Sequence, residues 1–76
     1  MKTIEQTMKQ LGVSVKTKRK SLNLSQKELS LIVFDDKNRA DVISRVESGK
    51  TKEVTFFTIF KVLKGLDIDI LQLIKN

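Results

Sequence analysis

This chain of 76 residues has no cysteine, no histidine and no proline. Without cysteine there can be no disulfide, no thiolate nucleophile and no thiolate metal site. The missing histidine removes the commonest general base and the commonest transition-metal ligand. Catalysis would rest on Asp, Glu, Lys and Ser, and no stretch groups these as a nucleophile with its base. The expectation is a protein that is not an enzyme and needs no cofactor or metal. No apolar run approaches the ~20 residues of a membrane span, and MKTIEQTMKQ lacks the apolar centre of a signal peptide. A soluble, cytoplasmic protein is therefore expected. The absence of proline, only 3 glycines and 39% hydrophobic residues point to a folded, helical chain and not to a disordered basic tail.

What the chain does have is positive charge, +6 in all, unevenly placed. Residues 1–23 carry six basic side chains against Glu5 alone, and residues 37–52 carry Lys37, Arg39, Arg45, Lys50 and Lys52 against Asp41 and Glu47. Residues 53–76 balance to zero. A polyanion on one side of the molecule, and something else on the other, would explain the asymmetry.

Seventy-six residues make one domain, near the lower limit for an uncrosslinked core. Ile4, Met8, Leu11 and Val15, with Leu22 beyond, follow helical spacing, and Thr3 with Gln6 forms a capping box before them. Gly12 weakens the middle of that helix by about 1 kcal/mol relative to Ala, which points to two helical pieces. Asn23 suits the left-handed residue that closes the region. Ser25 and Glu28 form a second capping box, with Leu24 and Leu29 at the staple positions and Leu29, Ile32 and Val33 as the buried face. FDDKNRAD then breaks the pattern. Asp36 or Asn38 caps a third helix from about Arg39 to Ser48, with Val42, Ile43 and Val46 inward and Gly49 after its end. Thr55 caps a fourth helix, with Val54 and Ile59 as its staple, that buries Phe56, Ile59, Phe60 and Leu63, and Asp67 turns the chain after it. Asp69 and Gln72 open a short fifth helix through Leu71, Leu73 and Ile74. The expected fold is a compact, five-helix, all-α domain.

Three segments carry a resemblance: LGVSVKTKRKSLNLSQKEL, VISRVESGKTK and TFFTIFKVLKGLDIDILQLI. In that order they resemble the first two helices, the end of the recognition helix with its following turn, and the last two helices of the lambda-repressor-like DNA-binding domains. These are the phage repressors, Cro proteins and XRE-type regulators. The likeness spans roughly residues 11–74, with residues 1–10 as a helical N-terminal extension. It implies a helix-turn-helix built from helices 2 and 3. FDDKNRA lengthens the turn by about three residues relative to most of the family, as in a subset of its members, so the start of the recognition helix is not set by the likeness.

On that resemblance Arg39, Ala40, Asp41, Ser44 and Arg45 are the candidates for reading bases, with Arg39, like Asn38, placed at the helix start or in the turn where the DNA backbone is the more expected contact. Arg45 leads, because Arg to guanine O6 and N7 is the commonest specific contact; a phosphate contact or a salt bridge is its alternative. Asp41 either caps the helix or accepts from cytosine N4. Ser25, Gln26, Lys37, Asn38, Ser48, Lys50, Thr51 and Lys52 are the phosphate candidates, Gln26 at the positive end of its helix. Lys16, Lys18 and Lys20 spread around the first helix and are read mostly as a solvated face. The family pairs an Arg on the first helix with the Glu closing the recognition helix, which implies an Arg19–Glu47 ion pair. Phe57, Ile70 and Leu71 are surplus apolar residues, for a dimer interface or for a tail packed on the domain's own core.

The expected function is a sequence-specific transcriptional regulator, in the main a repressor, that binds a palindromic operator as a homodimer and associates with the nucleoid. Its rivals are an antitoxin that binds a toxin and its own operator, a restriction-modification controller, and a non-specific nucleoid-type DNA binder.

Overall fold

The computed structural model describes residues 3–71. Their regular structure is all helical: α1 (Ile4–Ser21), α2 (Gln26–Phe34), a 3-10 turn (Lys37–Arg39), α3 (Ala40–Glu47) and α4 (Phe56–Gly65). No strand occurs among the described residues, in keeping with the all-α expectation.

Side chains set the starts of α1, α2 and α4. Thr3 Oγ1 accepts from the Gln6 N–H at 3.1 Å, and Gln6 Oε1 accepts from the Thr3 N–H at 2.9 Å. Ser25 and Glu28 repeat the exchange at 3.0 and 2.8 Å. Thr55 Oγ1 accepts from the Thr58 N–H at 3.2 Å. Each box satisfies amides that a helix start otherwise leaves bare. A left-handed residue follows each of α1, α2, α3 and α4: Asn23, Asp35, Gly49 and Asp67, with φ between 56° and 75°. After α1, α3 and α4 the chain also closes back on the last turn. The N–H groups of Leu24, Lys50 and Ile68 donate to the carbonyls of Arg19, Arg45 and Leu63, the double closure that satisfies the final carbonyls.

Two expected boundaries are corrected. α1 is one helix of 18 residues, not two pieces. Gly12 is buried where α1 crosses the end of α3, and a Cβ there would lie 2.5 Å from the carbonyl oxygens of both Val46 and Glu47. The glycine permits a close crossing and does not break the helix. The third helix begins at Ala40, one residue later than expected, and Arg39 caps it without a side-chain bond. Asp36 caps the 3-10 turn before it, its Oδ1 accepting from the Asn38 N–H at 2.9 Å. Asp41 is not the cap: it lies inside the first turn of α3.

The core comprises Leu11 and Val15 of α1, Leu29 of α2, Ile43 and Val46 of α3, and Ile59, Val62 and Leu63 of α4 with Leu66 behind it. Met8, Val33, Phe34, Val54, Ile68 and Ile70 pack against its edge. Val42 is half-buried, and Ile4 and Leu22 are exposed at the two ends of the α1 stripe. Phe56 and Phe60 were expected inside but are 66% and 45% exposed. The buried stripe of α4 is Ile59, Val62, Leu63 and Leu66, and the two rings flank it, packed on each other with centroids 6.4 Å apart. Ile32 is also corrected, being 56% exposed. Ser30 occupies the buried position beside Leu29 in its place. Asp69 Oδ1 accepts from the Leu71 N–H at 2.9 Å and so begins a helical turn at Ile70. Gln72, Leu73 and Ile74 lie outside the described residues.

Candidate nucleic-acid interface

A buried ion pair ties α1 to the end of α3, beside the candidate residues. Arg19 Nε donates to Glu47 Oε2 at 2.6 Å, and a terminal guanidinium nitrogen donates to Glu47 Oε1 at 3.0 Å. Another donates to the Leu24 carbonyl at 2.7 Å. The pair links α1 to the end of α3 through the two-point fork that suits Arg and not Lys. The side chains of Arg19 and Glu47 are 9% and 4% exposed. The bond to Glu47 raises the Arg19 pKa above its ordinary value, against the opposing effect of burial.

Gln26 joins this network: its Nε2 donates to Glu47 Oε1 at 3.1 Å. The side-chain N–H of this phosphate candidate is thus engaged by a carboxylate. The contact also brings the first turn of α2 up to the end of α3. The start of α2 is thus held near Glu47, the residue from which the Ser48–Lys52 turn leaves α3. The Ser25 hydroxyl serves as the α2 cap, and the Ser48 hydroxyl donates to the carbonyls of Ser44 and Arg45 at 2.9 and 3.3 Å.

The solvent side of α3 is polar. Asp41, Ser44 and Arg45 are exposed along it, with Ser48 at its end, while Ala40 is half-buried. Lys37, Asn38 and Arg39 are exposed before it, and Lys50 and Lys52 after it, with Thr51 half-exposed. The start of α1 borders this second group. Ile4, Glu5, Met8 and Lys9 line a groove with Gly49, Lys50, Thr51 and Lys52, and a Cβ at Gly49 would lie 2.9 Å from the Lys9 side chain. The first turns of α1 thereby bring one acidic and one basic side chain, Glu5 and Lys9, to the basic turn.

The connection from Asp35 to Arg39 is built, not slack. Ser30, fully buried, donates its hydroxyl proton to the Asp36 carbonyl and accepts from the Arg39 N–H at 3.2 Å. The Arg39 guanidinium lies over the Phe34 ring, its central carbon 4.1 Å from the ring centroid. Lys61 Nζ is 6.0 Å from the same ring and 5.4 Å from that of Phe57. Sequence reasoning missed Ser30 and Phe34. A serine in a helix reads as surface, and a phenylalanine before a break reads as core; only the path of the loop shows that both hold it.

Among the three dimer candidates, Phe57 and Leu71 are exposed, whereas Ile70 is half-buried against the core. Among the described residues no acidic cluster could hold a metal ion, and no helix is long and apolar enough to cross a membrane. Comparison with protein-family models found no match, and neither a curated protein nor a solved structure matches the chain.

Proposed function

We propose that this chain is a sequence-specific DNA-binding regulator of the lambda-repressor-like, helix-turn-helix kind, with α2 and α3 as the two helices and a lengthened turn between them. The observation that carries the reading is the arrangement of the three arginines. Arg19 is consumed inside the fold by Glu47. Arg39 and Arg45 stand exposed at the start and on the outer face of α3. No acceptor among the described residues engages either guanidinium.

Size and charge agree with that reading. An α-helix is ~10–12 Å across with its side chains, and the major groove of B-DNA is ~12 Å wide. The flanking Lys37, Lys50 and Lys52 supply the phosphate contacts that fix such a helix in register. Ser25, Gln26, Asn38, Ser48 and Thr51 are their polar companions. Arg45, Arg39, Ser44 and Asp41 face base edges, with Ala40 beside them. As a two-fold dimer the protein would set two α3 helices ~34 Å apart on a pseudo-palindromic operator. Phe57 and Leu71 are the exposed apolar residues offered to the second copy, and Ile70 supports them from the core edge. In the cell the protein would repress by occupying a promoter, its own included, as part of the nucleoid.

One observation favours a second reading, an antitoxin that also binds a protein. Phe56, Phe57 and Phe60, all exposed, crowd the start of α4, a surface apolar enough to be covered by a partner. Enrichment of duplexes from a random pool tests the first reading. A two-fold symmetric consensus is the expected result. No enrichment, with a toxin co-purifying instead, would move the assignment to the second.

A further inference from the structure

We propose that Phe34 is a positioning residue for sequence readout: its ring holds the Arg39 guanidinium flat so that the edge of the fork meets a guanine. The inference rests on the DNA-binding reading above and adds to it a residue that touches no base.

Arg39 is held at both ends. Its backbone N–H donates to Ser30 Oγ at 3.2 Å, and the same buried hydroxyl holds the Asp36 carbonyl. Asp35, in the left-handed conformation, closes α2 with its N–H on the Leu31 carbonyl at 2.9 Å. These bonds tie both ends of the five residues from Asp35 to Arg39. At the far end of the side chain, the 4.1 Å separation from the Phe34 centroid is a stacking distance for two planar groups. Phe34, the last residue of α2, is half-buried and packs against the edge of the core, which anchors the platform.

A guanidinium laid flat on the ring has one face covered and its N–H edge left open in its own plane, parallel to the ring. No acceptor among the described residues takes that edge. An unstacked Arg surrenders much of its rotamer freedom on binding; here the ring has already restricted it before DNA arrives. An in-plane fork matches the O6 and N7 of one guanine, which lie in the plane of the base. Arg39 is also the residue that opens α3, and the first residues of a recognition helix are those that reach base edges. The lengthened turn thus extends the reading surface by one side chain at the entry of the helix.

The test measures binding to the preferred duplex and to a panel in which each G·C pair is changed in turn, for wild type, Arg39→Ala, Phe34→Leu and Phe34→Tyr. One G·C pair should be preferred by roughly 10-fold or more in wild type, and Arg39→Ala should erase that preference. Phe34→Leu keeps an apolar plug but no ring; it should lose most of the preference at that pair and keep it at the others. Phe34→Tyr should restore it. A uniform loss across all pairs in Phe34→Leu means the ring is only structural and overturns the proposal. A uniform loss in Arg39→Ala, with the salt dependence reduced by about one counterion, makes Arg39 a phosphate contact and overturns it too. The ring-current shift of the Arg39 Nε–H in the free protein supplies a readout without DNA, expected upfield in wild type and gone in Phe34→Leu. An unshifted resonance in a chain that discriminates sequences overturns the role of Phe34 alone. A shifted one in a chain that discriminates none overturns the DNA reading, and this proposal with it.

Discussion

Replacing Gly12 with Ala sets two effects of opposite sign against each other. Ala is about 1 kcal/mol more favourable than Gly inside a helix, so by propensity alone Gly12→Ala stabilises α1. The packing says otherwise. The added Cβ meets the Val46 and Glu47 carbonyl oxygens at 2.5 Å, roughly an ångström inside ordinary packing distance. Both obstacles are backbone, so no rotamer change relieves them, and α1 has to move off the end of α3. Overpacking of this kind costs about 1–3 kcal/mol or more, and contact with two rigid carbonyls belongs at the upper end. The movement also strains the Arg19–Glu47 fork, because one of the displaced carbonyls belongs to Glu47 itself. The net expectation is a loss of about 2 kcal/mol, or a fall in Tm of roughly 8–16 °C for a domain of this size. Thermal melting followed by far-UV circular dichroism reads it. A Tm equal to or above wild type would refute the close crossing and show that helix propensity governs this position.

Glu47→Ala should cost about 3–5 kcal/mol in urea unfolding by leaving Arg19 buried without its partner, whereas the double variant Arg19→Met with Glu47→Leu should recover most of it. Asn23→Gly should raise stability by about 1 kcal/mol, because Asn23 holds φ +58°, a conformation that suits glycine better than residues with a Cβ; an unchanged melt would count against it. Ser30→Ala should cost about 1–3 kcal/mol and speed amide exchange at Arg39, because the hydroxyl is buried and serves two loop groups. Glu28 has its pKa lowered by its bonds to the Ser25 amide and hydroxyl. Its stabilisation is therefore present above the unfolded carboxylate range and lost as pH falls through the folded value. The advantage of wild type over Glu28→Gln should shrink on acidification, and a difference independent of pH would contradict it.

The starts of α1, α2 and α4 were legible because each has a local signature: Thr3 with Gln6, Ser25 with Glu28, and Thr55 all bond within three residues of themselves, whereas α3 starts at Ala40 with no side-chain cap. Asn23, Gly49 and Asp67 were legible as stops for the same reason. The faces of the helices were harder to read. TFFTIF is apolar at four of six positions, so its period cannot say which rings turn inward, and Phe56 and Phe60 ended outside. Gly12 needed the path of α3, since nothing in α1 announces a crossing. The Arg19–Glu47 pair joins residues 28 apart, and only the family likeness suggested it. Of the candidate interface, the exposure of Asp41, Ser44 and Arg45 followed from the spacing of Ile43 and Val46. The support of Arg39 by Ser30 and Phe34 depends on a loop whose course no local pattern encodes.

Fluorescence anisotropy with the duplex upstream of the protein's own gene, against a scrambled duplex at ~50 and ~200 mM salt, tests DNA recognition most directly. A preference of ~10³-fold or more that survives the higher salt is the predicted result. Equal affinities that fall together with salt would contradict it and leave a charged surface without a sequence to read.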